Sequence, residues 1–238
     1  MVFITFEGIE GSGKTTQVRL LAEALTRGGF SVEATREPGG TPLGDAIRKI
    51  FLDPRNRGMS IWAELFLVEA ARIEHVSKVI RPDLEAGKVV LCDRFTDSTL
   101  VYQGYAREAY SGRGLDIAEV TFLNQLATAG LRPDATILLD LEVEEGLRRA
   151  FVHLADGTYK ADGSIQAGSP ETRFEMEPRE FHERVREGYL RLAEKEKDRI
   201  QLVDASGDPM SVHLRVIEAL KGSKVSKVMS RLQGVPCH

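Results

Sequence analysis

Residues 2–16 join an apolar run to a glycine-rich turn, and this stretch constrains the fold more than any other. Its sequence, VFITFEGIEGSGKTT, places Gly8, Gly13, Lys14 and Thr15 at the fixed positions of the pattern G-x-x-x-x-G-K-[ST]. The β-branched and aromatic residues before the glycines predict a buried strand, and a helix is expected from about Lys14. A strand, a glycine turn and a helix in this order predict a phosphate-binding loop.

The predicted loop offers phosphates its backbone N–H groups and the positive end of a helix dipole. Lys14 is expected to reach the β- and γ-phosphates of a nucleoside triphosphate, and Thr15 to ligate Mg²⁺. The alternative is a glycine-rich turn that happens to precede a helix, which the complete motif disfavours. The nucleotide is expected to contact Gly8, Ile9, Glu10, Gly11, Ser12, Gly13, Lys14, Thr15 and Thr16.

Helical spacing after the loop, followed by a second β-branched segment at residues 31–35, gives a β-α-β unit. Three more short apolar runs are predicted to be strands, at residues 89–92, 135–141 and 200–203. We therefore predict an α/β fold of the P-loop NTPase type, with five parallel strands and helices on both faces. Ligands of such folds bind at the carboxyl ends of the strands.

Composition narrows the class of protein further. A chain of 238 residues suits one domain with a full core. The net charge of -4 gives no basic field that would favour nucleic acid. No apolar run reaches the roughly 18 residues of a membrane helix, and the first strand leaves no room for a signal peptide. The two cysteines form no plausible disulfide framework, which predicts a reducing, cytoplasmic setting. Together with the charge and the lack of a long apolar run, this predicts a soluble protein without nucleic-acid or membrane partners.

Charged residues follow the second and third predicted strands. The second strand leads into REPGGT, where Glu37 and Pro38 are expected to face the cleft; a solvated turn is the alternative. The third strand delivers Asp93 and Arg94 to the same rim. An acid at this position is expected to organise Mg²⁺, and the neighbouring arginine can hold a phosphate through two hydrogen bonds.

Two arginines on predicted helices are further candidates. Arg48, in the helix expected over residues 42–52, is either an anion ligand or an ordinary surface charge. Arg72 lies within a long helical pattern over residues 61–86, and Pro82 predicts a kink or break there.

Two segments of unusual composition complete the chain. Residues 96–110 are polar and aromatic, which suits a surface that binds a small ligand, although an ordinary loop has a similar composition. Residues 155–172 have three glycines, a proline and few large apolar side chains, so we predict a lid at about 150–175, with disorder as the alternative. The predicted domain covers residues 1–221, and a polar tail follows at 222–238.

The ordered set of motifs resembles bacterial thymidylate kinases, which transfer the γ-phosphoryl group of ATP to dTMP. It consists of FEGIEGSGKTTQ, REPGGT, AELFLVEAAR, CDRFTDSTLVYQG, RPDATILLDL, RFE at 173–175, and VDASG. The resemblance extends to about residue 220. It implies ATP and dTMP as substrates, Mg²⁺ as cofactor, and a homodimer formed through helices that include residues 61–86.

The resemblance also implies roles for individual residues on the acceptor side. Glu10 is expected to accept a hydrogen bond from the 3′-hydroxyl of dTMP, Arg94 to hold the acceptor phosphate, and Arg72 to bind the thymine edge. Pro38 stands where this family often has a cis peptide bond. The residues expected to read the base and crowd the 2′ position are Ser98, Tyr102 and Gln103.

On the ATP side, the resemblance places Arg173 near the base as a lid arginine, and it matches residues 204–207 to the adenine-side loop. Relatives with an acidic phosphate loop usually supply catalytic positive charge from the lid. This chain instead has Phe151, Val152 and His153 before its insertion. An arginine finger contributes about 10³ to 10⁵ in rate in GTPases, so slow turnover is expected. The remaining candidates for this charge are Arg149, Lys160 and Arg173.

A second departure concerns base stacking. Related kinases commonly have an aromatic residue four positions before the thymine-reading arginine, and this chain has Val68 there. Stacking contributes roughly 1 to 3 kcal/mol per base. A weaker affinity for dTMP, or help from nearby Phe66, is therefore expected.

Other functions stay open on the sequence alone. Val68 leaves room for a kinase of another nucleoside monophosphate, and the depleted lid leaves room for a catalytically weak nucleotide-binding switch. A nucleic-acid-dependent ATPase is disfavoured by the acidic net charge.

Overall fold

The computed structural model describes residues 1–107, 115–155 and 173–232. At its centre, five parallel strands form one sheet in the order β2-β3-β1-β4-β5. This topology confirms the predicted α/β fold, and each observed strand lies within about a residue of its predicted bounds. The strands are β1 (Val2–Glu7), β2 (Val32–Arg36), β3 (Val89–Asp93), β4 (Ala135–Asp140) and β5 (Ile200–Asp204).

Helices connect the strands and cover the sheet. They are α1 (Lys14–Arg27), α2 (Pro42–Leu52), α3 (Ile61–His75), α4 (Arg81–Glu85), α5 (Thr96–Thr99), α6 (Ile117–Thr128), α7 (Val143–Ala155), α8 (Arg179–Lys195), α9 (Pro209–Lys221) and α10 (Ser226–Met229). Short 3₁₀ turns occur at Pro54–Asn56 and Ser230–Leu232.

The three central strands, β1, β3 and β4, are buried on both faces, as is usual in a parallel sheet. Successive residues of a strand point to opposite faces. Ile4 and Leu91 accordingly join the larger apolar cluster, whereas Phe3 and Val90 join a smaller one with Phe95. The side chains of β1 and β3 are packed on both faces of the sheet, so the carboxyl ends of these two strands are held in place.

The irregularity predicted from Pro82 takes the form of a π-helical segment, Val76–Ile80, between α3 and α4. The helical run ends before Gly87, whose φ of 79° lies in the left-handed region. A second π-helical segment, Leu100–Ala106, continues α5. The polar and aromatic stretch after β3 is thus helical as far as it is described, rather than an open loop.

The predicted lid and tail are only partly within the described residues. Helix α7 ends at Ala155, so the lid residues 156–172, including Lys160, lie outside the description. Beyond the predicted domain boundary at 221, Val225 and Met229 are buried in the main core, so packing continues past that boundary. Among the described helices, none is long and apolar enough to cross a membrane.

Candidate active site

The phosphate loop lies between β1 and α1, as predicted. Gly11 and Gly13 have φ values of 70° and 90°, which L side chains rarely adopt, and the loop turns at these positions. Lys14 Nζ donates hydrogen bonds to the carbonyl oxygens of Ile9, at 2.7 Å, and Gly8, at 3.1 Å. Burial lowers the pKa of Lys14 to about 8. An anionic phosphate at the loop would favour the charged form of this lysine.

The loop also packs directly against the start of α7. A Cβ atom at Gly146 would lie 2.7 Å from the carbonyl oxygen of Glu10, and a Cβ at Gly11 would clash with the Gly146 carbonyl. Two glycines therefore allow backbone to approach backbone here.

Thr15 and Asp93 meet beside the loop. Because β1 and β3 are neighbours, with Phe6 level with Asp93, the end of β3 reaches the first turn of α1. The Thr15 hydroxyl donates a 2.5 Å hydrogen bond to Asp93 Oδ2. A hydroxyl and a carboxylate oxygen are ligands that suit Mg²⁺. No cluster of three or more His, Cys, Asp or Glu is present among the described residues, so this ion would need phosphate and water as further ligands.

Arg94 connects the loop to the acceptor side of the cavity. Its φ of 69° is unusual for a residue with a side chain. The guanidinium donates to the Gly8 carbonyl at 3.1 Å, to Ser98 Oγ at 3.2 Å and to Glu10 Oε1 at 3.2 Å. It also lies over the Tyr102 ring, 5.1 Å from the centroid. Arg94 therefore contacts the loop at Gly8 and three residues predicted to bind the acceptor: Glu10, Ser98 and Tyr102.

Glu10 is held by three donors. Tyr102 donates its hydroxyl at 2.5 Å, and Arg94 and His182 Nδ1 each lie 3.2 Å from a carboxylate oxygen. Burial favours the neutral acid, but the hydrogen bond from His182 and the charge of Arg94 outweigh it and hold the pKa of Glu10 well below its usual range. Glu10 therefore places a negative charge in the wall of the cavity that it lines.

Glu7, at the end of β1, supports the segment that follows β3. This fully buried carboxylate accepts hydrogen bonds from Phe95 N at 2.8 Å, Ser98 Oγ at 2.6 Å and the Tyr189 hydroxyl at 2.8 Å. Burial is the largest cause that raises the pKa of Glu7 to about 7. Glu7 thus holds Phe95, which follows Arg94 in the chain, and the two hydroxyl groups of Ser98 and Tyr189 that contact the Arg94 guanidinium.

Three groups in this network were missed by the sequence analysis: Glu7, His182 and Tyr189. A signal existed for each. Glu7 is an acid at the end of an apolar strand, and His182 and Tyr189 are seven residues apart, so they share one face of α8. Their burial could have been predicted from this spacing, but their partners could not.

Arg72 is buried, and its side chain lines the same cavity as Arg94. Of the five N–H donors of an arginine, Nε binds Glu37 at 2.8 Å, Nη1 binds Glu69 and Asn124, and Nη2 binds Thr99 at 2.9 Å. Within the described part of the chain, one hydrogen on Nη2 has no protein acceptor. Since Arg72 lines the cavity, this hydrogen can be donated to a ligand.

The REPGGT turn forms a neighbouring wall. The Glu37–Pro38 peptide bond is cis, as the family resemblance had implied. Glu37 is buried, and its second oxygen lies 3.1 Å from His75 Nδ1. Arg48 Nη1 donates to the Pro38 carbonyl at 3.1 Å. The turn therefore does not lie free in solvent, which removes the alternative proposed for Glu37.

These groups enclose a cavity of about 340 Å³. Phe51, Leu52, Val68 and Phe174 supply apolar side chains, and Glu175, whose pKa burial raises to about 7, also lines it. The ligand roles of the lining residues stay predictions. The structure brings together the following predicted site residues: Glu10, Gly11, Lys14, Thr15, Glu37, Pro38, Arg48, Arg72, Asp93, Arg94, Ser98, Tyr102 and Gln103.

The structure corrects the expected position of Arg173. Instead of lying near an ATP base, its side chain is fully buried, and it pairs with Glu64 and donates to the Phe51 carbonyl at 3.0 Å. Because the side chain is fully enclosed and held by these contacts, its guanidinium is not presented to a nucleotide at the phosphate loop. Arg173 is therefore removed from the candidates for catalytic charge in this conformation.

Two further expectations are affected. Phe66 is 56% exposed, stacks on Trp62 with 6.0 Å between the ring centroids, and does not line the cavity, so it cannot replace a stacking residue at Val68. Arg149 binds Glu145 at 2.7 Å and the Ala205 carbonyl at 3.2 Å. It therefore faces the expected adenine-side loop rather than the cavity.

The phosphate loop thus adjoins, beside Arg94, an open cavity of a size that suits a small ligand. This arrangement defines the class of P-loop kinases that phosphorylate small acceptors such as nucleotides.

Comparison with known proteins narrows the class to one family. The family model for thymidylate kinase matches residues 6–216. The chain is 51% identical to the thymidylate kinase of Geotalea daltonii, over 92% of this chain and 96% of that protein. It is 53% identical to that of Geotalea uraniireducens, over 86% and 89%. The crystal structure of thymidylate kinase from Ehrlichia chaffeensis superposes with a TM-score of 0.69, at 35% identity, covering 92% of this chain and 98% of that one. The chain belongs to the thymidylate kinase family, which confirms the resemblance seen in its motifs.

Proposed function

We propose that this protein transfers the γ-phosphoryl group of ATP to dTMP, giving dTDP and ADP. The single observation that carries the proposal is the position of Arg94, which contacts both the phosphate loop at Gly8 and the acceptor cavity at Glu10. An acceptor phosphate bound by this guanidinium lies next to the loop that holds the donor. The names of the relatives supply the identity of the acceptor.

Positioning and charge neutralisation carry the reaction. A phosphate monoester is already nucleophilic near neutral pH, so no strong general base is needed. Arg94 orients the acceptor phosphate, and Lys14 leaves its carbonyl partners to bind the β- and γ-phosphates. Thr15 and Asp93 would hold Mg²⁺ together with these phosphates, and the bound ion neutralises the charge that the phosphates share.

The base end of the cavity favours a pyrimidine with a carbonyl at its edge. The remaining N–H of Arg72 can donate to such an oxygen, whereas an amino group at that position has no lone pair to accept it. Tyr102 and Ser98 contact Arg94 and line the cavity, and the sugar is expected beside them. Val68 leaves one face of the base without an α3 aromatic ring, so we expect modest dTMP affinity.

On the ATP side, Arg149 stays the candidate for catalytic positive charge. Its contact with Ala205 puts it beside the loop at residues 204–207, which is expected to border adenine. The lid at about 150–175 is proposed to close over ATP and exclude water. The cytoplasmic setting and the absence of nucleic-acid partners stay predictions.

The proposal includes a homodimer. Helices α3 and α6 pack together and expose large apolar side chains. Large exposed apolar side chains grouped on two adjoining helices are typical of an interaction site. The exposed side chains are Trp62, Phe66, Ile73, Phe122 and Leu126.

An ADP-release assay with dTMP, dUMP, dGMP and AMP as acceptors tests the function. We expect the highest kcat/KM with dTMP. A higher value with another acceptor would instead support a kinase for that nucleotide. Tight ATP binding without acceptor-dependent turnover would support the nucleotide-binding switch, which the comparisons do not favour.

A further inference from the structure

We propose that Glu64 determines the base selectivity of the acceptor cavity by fixing the orientation of the Gln103 side-chain amide. The inference rests on the proposed function, because it concerns how the same cavity distinguishes thymine from cytosine. Glu64 would act as a positioning residue, since it reaches the base only through Gln103.

Two arginines lock the Glu64 carboxylate in place. Glu64, on α3, is 2% exposed, and its Oε1 atom accepts hydrogen bonds from Arg173 Nη2 and, at 3.1 Å, from Arg107 Nη2. Arg173 is itself anchored, because Nη1 donates to the Phe51 carbonyl at 3.0 Å and its backbone N–H to the Leu52 carbonyl at 3.3 Å. Charge-assisted hydrogen bonds from two guanidinium groups hold the carboxylate, which can only accept hydrogen bonds.

The other oxygen of Glu64 faces Gln103. Oε2 lies 3.3 Å from Gln103 Nε2, and because the carboxylate has no proton to donate, the nitrogen side of the amide must point toward it. Gln103 is buried and lines the cavity. In the described part of the chain no donor contacts its Oε1 atom, so the carbonyl oxygen is the amide atom available to a ligand.

This orientation matches one class of base. Thymine and uracil carry a donor, N3–H, next to the carbonyl oxygen O4, whereas cytosine has an unprotonated N3 next to an amino group. The Gln103 carbonyl can accept the N3–H hydrogen bond while Arg72 donates to O4. Cytosine would place two acceptors against each other at Gln103 and two donors against each other at Arg72. A flipped Gln103 amide would donate to cytosine N3, and Glu64 prevents that flip.

The test compares kcat/KM for dTMP and dCMP in the wild type and in Glu64→Gln. A carboxamide at position 64 can donate as well as accept, so the Gln103 amide is free to turn. We expect the preference for dTMP over dCMP to fall about tenfold or more, with the KM for ATP unchanged. Glu64→Asp keeps the countercharge of Arg173 but withdraws the carboxylate from Gln103, and it should lower the same ratio. Glu177→Gln is the matched control, because Glu177 also binds Arg107 but does not contact Gln103.

The double variant Glu64→Gln/Gln103→Glu exchanges the two groups without changing the net charge. A carboxylate at 103 still accepts from N3–H, so the exchange should restore the preference for dTMP. The proposal is overturned if folded Glu64→Gln or Glu64→Asp lowers kcat/KM equally for both nucleotides, or if a folded exchange variant lacks the restored preference. A wild type that does not phosphorylate dTMP would overturn the proposed function itself, whereas an active wild type with an unchanged ratio in the variants would overturn only this inference.

Discussion

The hydroxyl of Thr15 and the carboxylate of Asp93, separated by 78 positions in the chain, form a 2.5 Å hydrogen bond at the rim of the sheet. The contact depends on the pairing of β1 with β3, which brings the first turn of α1 to the end of β3. Two oxygen atoms of the kind that Mg²⁺ prefers are thereby held together beside the phosphate loop. The prediction that follows concerns the metal rather than the fold.

Asp93→Asn should raise the Mg²⁺ concentration needed for half-maximal activity by about tenfold or more, because an amide oxygen binds a hard cation more weakly than a carboxylate. Activity is measured across a Mg²⁺ titration at fixed ATP and dTMP. Asp198→Asn removes an exposed carboxylate outside the cavity and serves as the control. An unchanged Mg²⁺ requirement in Asp93→Asn would exclude Asp93 as a ligand.

Lys14→Met should lower kcat at least about 100-fold, the loss typical when one group that stabilises transition-state charge is removed. The substitution should not lower the free energy of unfolding at pH 7. Burial disfavours the charged form of Lys14, lowering its pKa to about 8, so removing this charge relieves an unfavourable burial. The measurements are ADP release and thermal melting. Wild-type turnover in a folded Lys14→Met protein would disprove the phosphate-loop assignment.

Glu7 gives the protein a stability that depends on pH. Its pKa rises from 4.5 to about 7 on folding, so between these values the native state binds more protons than the unfolded state. The contribution of Glu7 to the free energy of unfolding, up to about 3 kcal/mol, should therefore be lost as the pH rises from about 4.5 to 7. Urea unfolding at pH 5 and pH 8 measures the fall.

In Glu7→Gln this fall should be smaller but not absent, because the pKa of Glu175 is also raised to about 7. Glu218→Gln, which alters an exposed side chain, should reproduce the wild-type difference. The same pH difference in Glu7→Gln and in the wild type would show that Glu7 does not titrate in this range.

Replacing Trp62 and Phe66 together by serine should convert a dimer to a monomer, because both rings belong to the exposed apolar face of α3. Sedimentation velocity of the wild type and the double variant at equal concentration measures this. Leu214→Ser, which changes an exposed apolar residue on α9, is the control. A monomeric wild type, or a double variant that stays dimeric, would refute this interface.

The sequence predicted those parts of the site that depend on local pattern. The phosphate loop follows from one motif, and Asp93 and Arg94 follow from their position at the end of an apolar strand. Arg173 shows where this reasoning fails: its neighbours in sequence indicated a lid, but its partner, Glu64, is 109 residues away. Pairings between distant elements depend on how helices cross, which no local pattern encodes.

Phe66 and Glu7 also show that residue type alone does not predict whether a side chain is buried. Phe66 is apolar but exposed, and Glu7 is charged but fully buried, so residue type alone predicted the wrong environment for each. For Glu7 the surroundings come from another element, since Tyr189 of α8 binds it. Phe66 is exposed because its face of α3 is left uncovered in the described part of the chain. The correct environments could be read only from the assembled structure.

The contact between Gly11 and Gly146 has a mechanical consequence. At these two glycines the backbone of the phosphate loop lies directly against the backbone of the first turn of α7, with no side chain between them. A shift of the loop backbone, such as one needed to admit a triphosphate, must therefore displace the root of the helix that leads into residues 156–172. Occupancy of the donor site is in this way coupled to the position of the first turn of α7.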